Sequence, residues 1–331
     1  PKKYDIAPSY FDALAIGVDL KDGQIPLCCD FITLQSSHND MIMKDYTAGH
    51  LTCEESRKYL NALQEQILDC PVTFYSGFGF HNLMVIESKQ FTTRLTPPNE
   101  LIGEGIRKFM PNEDQFKDLI YIINQAQIIL HNHPTNQQRK RENIDLVNSI
   151  WLWGNGKSGT LPSFEEKFGK SASIISPSLL FQGMGKAANM NIVSVEGITG
   201  FADTNFNNKV EATIHELKNQ DIVYLNVTGA EDISLKGNID DKVLTIEDID
   251  AKVIGPLLKK ISLYSNVTMM VVVNHMNSAV DVKYGKDRVP FVITGKNKTS
   301  TLNIFDENIL NEGNNHFNSG SELMEMFFDI N

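Results

Sequence analysis

Cysteine and tryptophan are scarce in this chain, with four and two respectively in 331 residues. Cys28, Cys29, Cys53 and Cys70 show no CxxC spacing. That argues against a zinc ribbon or a disulfide framework and leaves ordinary thiols of a reducing compartment. Cations are also in short supply: 30 Lys and Arg face 41 Asp and Glu, a net charge of −11. Neutralising nucleic-acid phosphates takes a surplus of cations, so a nucleic-acid partner is excluded. No apolar run approaches the roughly 20 residues of a membrane span. The longest, Val267 to Val273, is strand-sized, so no transmembrane segment is expected. No signal-peptide pattern follows Pro1, and the Asn-X-Thr triplets at Asn226, Asn266 and Asn297 read as chance matches. The expected location is intracellular: cytoplasmic or, if the amino end is processed, mitochondrial. What the chain does have is 41 % hydrophobic residues, enough for roughly two domains with buried cores.

Two textures follow one another. From about Asn148 onward, short apolar runs alternate with amphipathic stretches. Strand-like runs are Ser149 to Gly154, Ala172 to Ser176, Asn191 to Val195, Asp221 to Val227, Val267 to Val273 and Phe291 to Thr294. Helical stretches lie between them up to Met190, from Asn207 to Leu217, from Asp241 to Ser262, and from Ser321. In the third of these, Val243, Ile246, Ile249, Val253, Leu257 and Ile261 recur at helical spacing on one face. Val267 to Val273 suits a strand buried on both faces. This repetition predicts an α/β fold, a mostly parallel doubly wound sheet covered by helices. From Val18 to His131 the strands are more polar and helices fewer, and Thr52-Cys-Glu-Glu55 reads as the capping box of a helix reaching Leu68. The expected organisation is a core remnant at 1–18, an inserted smaller α+β domain at 19–131 and the α/β core at 132–331.

In such a sheet, chemistry gathers beyond the carboxyl ends of the strands. After Val227 those positions hold Glu231, Asp232, Leu235 and Lys236, and after Val273 they hold Asn274, His275 and, further on, Tyr284. One histidine with one or two carboxylates is a thin ligand set for a metal ion.

Several segments resemble the archaeal-type, cofactor-independent phosphoglycerate mutases. They are Lys44 to Glu55, Ser149 to Gly156, Leu161 to Gly169, Gly183-Met-Gly185, Gly197-Ile-Thr-Gly200, Asp203-Thr-Asn205 and Val289-Pro-Phe-Val292. The resemblance keeps its order over nearly the whole chain. It implies an alkaline-phosphatase-like core with an inserted domain. The implied chemistry is interconversion of 3-phosphoglycerate and 2-phosphoglycerate through a phosphoserine, with two divalent metals such as Mn2+ or Mg2+.

At the positions the resemblance assigns to metal, this chain carries Glu231 for an Asp, Leu235 for a His, Asn274 for an Asp, His275 as in the family, and Tyr284 for a His. A one-residue slip would bring Asp232 and Lys236 into register and still restore no histidine. At implied substrate positions, Asn99 replaces a His, His81 replaces an Arg, and Ala7 to Tyr10 lacks its Arg. The family's nucleophilic Ser and first metal Asp align upstream of Pro1, so no catalytic nucleophile is assigned. His133, Asn136 and Arg139 match the family's HPxNxxR segment. Sugar-phosphate contact and a structural turn both remain open for it. Arg139-Lys140-Arg141 reads as a solvated face rather than an anion site, and Trp151 and Trp153 as core.

These substitutions predict a non-catalytic descendant of the mutases, a scaffold or subunit with protein partners and no bound cofactor. The competing expectation is an active phosphoglycerate mutase or phosphatase with a reduced site, one Mn2+ or Mg2+ at Glu231 and His275, and phosphoglycerate as substrate.

Overall fold

The computed structural model describes residues 4–88, 91–111, 114–264, 266–295, 304–313 and 315–329. Contacts divide the chain into two compact units: Pro1–Lys167 with Ala172–Val193, and Phe168–Ser171 with Ser194–Asn331. In chain order the first half of the elements are α1 (Pro8–Ile16), β1 (Gln24–Ser36), β2 (Met41–Asp45), α2 (Cys53–Gln66), β3 (Val72–Phe78), β4 (His81–Glu87), α3 (Lys117–Asn132), α4 (Pro134–Arg141), β5 (Ser149–Trp153), α5 (Phe164–Phe168), β6 (Ala172–Ile175), α6 (Leu179–Ala187) and β7 (Asn191–Ile192). Then come α7 (Phe206–Glu216), β8 (Ile222–Leu225), α8 (Ala230–Leu235), α9 (Ile239–Ile249), α10 (Gly255–Ile261), β9 (Met269–Val272), β10 (Asn277–Ser278), β11 (Lys283–Tyr284), β12 (Phe291–Thr294), α11 (Ile309–Glu312) and α12 (Gly320–Asp329). The fold is α/β. No helix among the described residues is long and apolar enough to cross a membrane.

The first unit is built on a sheet ordered β2-β1-β4-β3, with β5 added on β1. Every pairing in it is antiparallel. Strand β1 is buried without interruption from Ile25 to Leu34. Successive side chains of a strand point to opposite faces, so both of its faces are covered. Ile25, Leu27, Cys29 and Phe31 pack with Tyr59 and Leu63 of α2 and Leu119, Ile122 and Ala126 of α3. On the other face Ile32 and Leu34 join Met43, Leu101 and Trp151, while Leu83 and Val85 of β4 meet Ala13 of α1. The more polar strands expected here fail for β1 because α1 covers one end of its second face and Met43, Leu101 and Ile106 cover the other. Ser149 to Gly154, expected in a parallel sheet, also lies elsewhere: β5 runs antiparallel to β1, with Cys28 opposite Trp153.

Helix α2 starts as its sequence predicts. Thr52 accepts from the Glu55 backbone N–H, and the Glu55 carboxylate accepts from the Thr52 N–H. The Gly183-Met-Gly185 segment has a packing reason. A Cβ on Gly183 would sit 1.9 Å from the carbonyl oxygen of Phe11, and one on Gly185 would sit 2.7 Å from side chains of Ile174 and Ile192. The two glycines let α6 lie directly on α1 and on the parallel β6–β7 pair. Gly183→Ala forces two helix backbones apart, and no rotamer relieves the clash. It is expected to destabilise the protein by roughly 3 kcal/mol, read as a lowered urea midpoint.

The second unit packs Phe206 and Val210 of α7 against Val253 and Leu257, with Leu225, Val227, Ile249 and Met269 around them. The single helix expected from Asp241 to Ser262 is interrupted by a π-turn at Asp250–Ile254. Pro256 sits in the first turn of α10 and has no N–H to donate backward, so the extra residue of the π-turn absorbs the break. That inserted residue rotates α9 relative to α10. Val253, Leu257 and Ile261 are buried, whereas Val243 and Ile246 are about half exposed. Strand β9 pairs antiparallel with β12 alone among the described residues, and Val272 is exposed. The burial on both faces expected for Val267 to Val273 is therefore not found: Met269, Met270 and Val271 are half-buried and Val272 is exposed.

Candidate active site

Strand β8 ends in a turn that only glycine can make. Gly229 has φ 119°, and a Cβ there would lie 3.1 Å from the Phe201 carbonyl carbon and the Ala202 nitrogen. The turn delivers Glu231 into the first turn of α8. Tyr284, in the short β10–β11 hairpin, donates its hydroxyl to Glu231 Oε1 at 2.6 Å. His275, in the segment after β9, places Nε2 3.8 Å from Glu231 Oε2. Its ring lies 5.0 Å from that of Tyr284, inclined by 56°. Asn274 Nδ2 is 3.1 Å from His275 Nδ1. Within the same unit, Thr228 Oγ1 and both side-chain polar atoms of Asn277 are buried without a hydrogen-bond partner.

Four of the five positions assigned to metal by resemblance thus meet in space: Glu231, Asn274, His275 and Tyr284. Leu235, the fifth, is a buried aliphatic side chain further along α8 and offers no donor. In the alternative register, Lys236 Nζ bonds Asp232 Oδ2 at 3.0 Å on the same helix. Glu231 and His275 are the groups of this cluster that could hold a divalent cation.

Lys209 was not singled out by the sequence patterns. It lies on the buried face of α7 with Phe206, Val210 and Thr213, and is fully buried. Its ammonium reaches the Asn226 carbonyl, past the end of β8, with one long hydrogen bond of 3.5 Å. Burial pulls its pKa down to about 8. The available signal was a lysine among apolar residues at helical spacing.

The substrate positions implied by resemblance lie in the first unit and do not all share one place. Arg139 is 2 % exposed and fully engaged: Nε donates to the Asp145 carbonyl, one terminal nitrogen to Glu55 Oε1 at 2.7 Å, and the other to the Ala48 carbonyl. Asn136 bonds Tyr59, Leu130 and both backbone groups of Val147. His133 caps α4 and lies 4.6 Å from the Tyr59 ring, and burial holds its pKa below the ordinary value. Of the readings left open for this segment, the hydrogen bonds favour the structural turn. Lys140 and Arg141 are exposed while Arg139 is buried, so the run forms no single anion face. Asn99 sits in a 3-10 turn at Pro98–Leu101. His81 lies between two carboxylates, Asp30 Oδ1 at 2.5 Å and Asp12 Oδ2 at 2.9 Å. Burial alone would lower its pKa, but Asp30 and Asp12 outweigh that and hold it well above the ordinary histidine value.

Comparison with known proteins decides the family. A sequence profile described as 2,3-bisphosphoglycerate-independent phosphoglycerate mutase matches residues 1–136. A probable 2,3-bisphosphoglycerate-independent phosphoglycerate mutase of Geobacter sulfurreducens is 31 % identical over 323 residues, covering 97 % of this chain and 81 % of that protein. The chain belongs to this mutase family. A second member, from Methanosarcina barkeri, is 30 % identical and covers 98 % of this chain and 81 % of its own length. In structure, the PH0037 protein of Pyrococcus horikoshii superposes with a TM-score of 0.63 at 20 % identity, covering 89 % of this chain and 70 % of that one, a likeness of fold.

These relatives correct one expectation from the sequence. A non-catalytic scaffold was predicted from the replaced ligands. Yet several relatives aligning over nearly the whole chain at about 30 % identity are named as phosphoglycerate mutases, which favours an active mutase. The physical reason for the error lies in reading each replacement singly. Glu231 keeps a carboxylate, and Tyr284 donates its hydroxyl to it.

Proposed function

We propose that this protein is a phosphoglycerate mutase that interconverts 3-phosphoglycerate and 2-phosphoglycerate with a reduced metal site, one divalent cation held by Glu231 and His275. The observation that carries the reading is the convergence of Glu231, His275 and Tyr284, the last 53 residues from the first in sequence. In the overall reaction the phosphoryl group leaves one glycerate hydroxyl oxygen and ends on the other, and a proton moves the opposite way. No water is consumed, so the reaction is an isomerisation.

When bound, the cation would draw charge from the phosphoryl oxygens. Tyr284 orients the Glu231 carboxylate through its hydroxyl and leaves Oε2 turned toward His275. Asn274 fixes the imidazole so that Nε2 faces the carboxylate. Lys209 holds a poorly satisfied ammonium at the end of β8, where an anionic oxygen would complete its hydrogen bonds.

The test is a coupled assay for 2-phosphoglycerate formation by the full chain with Mn2+. Glu231→Gln and His275→Ala are each expected to lower turnover by about 100-fold or more, with the far-ultraviolet circular dichroism unchanged. Turnover that survives both substitutions overturns the reading.

A further inference from the structure

The cluster around His81 has no task in the reaction proposed above, and its chemistry points elsewhere. Strand alternation puts Cys28 and Asp30 of β1 on the face covered by α1, and the β1–β4 register sets Asp30 opposite His81. Helix α1 brings Asp12, 69 residues from His81 in sequence, onto the same spot. Cys28 Sγ and His81 Nε2 lie 3.0 and 2.9 Å from Asp12 Oδ2, and the three donor atoms fall within 4.8 Å of one another.

We propose that Asp12, Cys28 and His81 form a transition-metal site, with Zn2+ the cation their donors suit. A thiolate, an imidazole nitrogen and a carboxylate oxygen are the zinc ligand types, and bond lengths of about 2.0–2.3 Å need them to spread only a few tenths of an ångström. Three protein ligands leave a fourth position for water or for the second oxygen of Asp12.

Independent observations agree. Asp12 is 1 % exposed, and its Oδ1 is buried with no hydrogen-bond partner among the described residues, a costly arrangement that a cation would relieve. His81 is oriented as metal-bound histidines are: Nδ1 faces Asp30, whose other oxygen accepts from Trp153 Nε1 at 2.8 Å, so Nε2 is aimed at Asp12. Gly154 keeps the cluster open, since a Cβ there would lie 2.6 Å from Cys28 Sγ. The His81 side chain is 18 % exposed, which leaves a way in for an ion. On loading, the Cys28 thiol proton and any proton on His81 Nε2 leave to solvent as the two metal bonds form. Cys28 is then no ordinary thiol, unlike Cys29, Cys53 and Cys70.

The test is titration of the reduced full chain with Co2+ as a spectroscopic probe, followed by Zn2+. One equivalent of Co2+ is expected to give a thiolate-to-cobalt charge-transfer band, displaced by one equivalent of Zn2+. The band is expected to vanish in Cys28→Ala. Asp30→Asn removes the charge behind His81 and is expected to weaken binding by about 10–100-fold. A wild-type chain with no such band, or a band that persists in Cys28→Ala, overturns the proposal. Should Cys28→Ala not fold, unchanged affinity in Asp30→Asn overturns it instead. Neither readout depends on mutase turnover, so this proposal and the active-site reading fail separately.

Discussion

Arg139→Met is expected to lower folding stability by about 3–5 kcal/mol, the usual cost of removing one partner from a buried ion pair. The methionine fills much of the volume and supplies none of the three donors. Glu55 loses its cation, and the carbonyls of Ala48 and Asp145 lose their hydrogen bonds inside the first unit. Burial pushes the Glu55 pKa up, but Arg139 and the Thr52 cap outweigh it, so the net shift is downward. A carboxylate with a lowered folded pKa binds its proton less readily than in the unfolded chain. Its stabilisation is complete above the ordinary carboxylate range and is lost as pH falls through that range. Urea midpoints of wild type and Arg139→Met should therefore differ most near neutral pH and converge in acid. A constant gap across that range would show that the Glu55 pair contributes nothing and that Arg139 acts through its carbonyl hydrogen bonds and packing.

Lys209→Met is expected to do the reverse to stability while disabling the protein. The lysine is fully buried with one long hydrogen bond, so an isosteric apolar side chain should stabilise the fold by roughly 1–3 kcal/mol. The pH dependence identifies the cause. With a folded pKa of about 8 against 10.5, the unfolded chain holds the proton more tightly between those values. Stability of the wild type should rise with pH across that window, and the full penalty should apply below about 8. In Lys209→Met that slope should disappear. Turnover is expected to fall by about 100-fold or more, because the Lys209 ammonium holds the Asn226 carbonyl in the segment that leads to Glu231. A variant that is both less stable and fully active would assign Lys209 to packing.

Local rules served well where the chain satisfies itself within a few residues. The Thr52–Glu55 box opens α2, and the α7 and β8 boundaries fall within a residue or two of the pattern. Patterns failed where a distant element changed the environment. Pro256 interrupts a helix whose apolar spacing looked continuous. Strand β5 follows the registration of β1, more than a hundred residues earlier, and no local signal specifies that partner. Site residues followed the same division. Glu231 and His275 were legible as polar residues shortly after β8 and β9, whereas no local signal pairs Tyr284 with Glu231. Asp12, Cys28 and His81 share no sequence spacing at all. Only strand register and the docking of α1 place them together, so an absence of CxxC said nothing about them.

The most direct measurement is the rate of 3-phosphoglycerate to 2-phosphoglycerate conversion by the full chain, with Mn2+ and then with excess chelator. A divalent-cation mutase predicts turnover with Mn2+ that chelation abolishes and added Mn2+ restores, saturating with one equivalent at the Glu231–His275 site. No turnover at any Mn2+ concentration, or turnover indifferent to chelator, would contradict it.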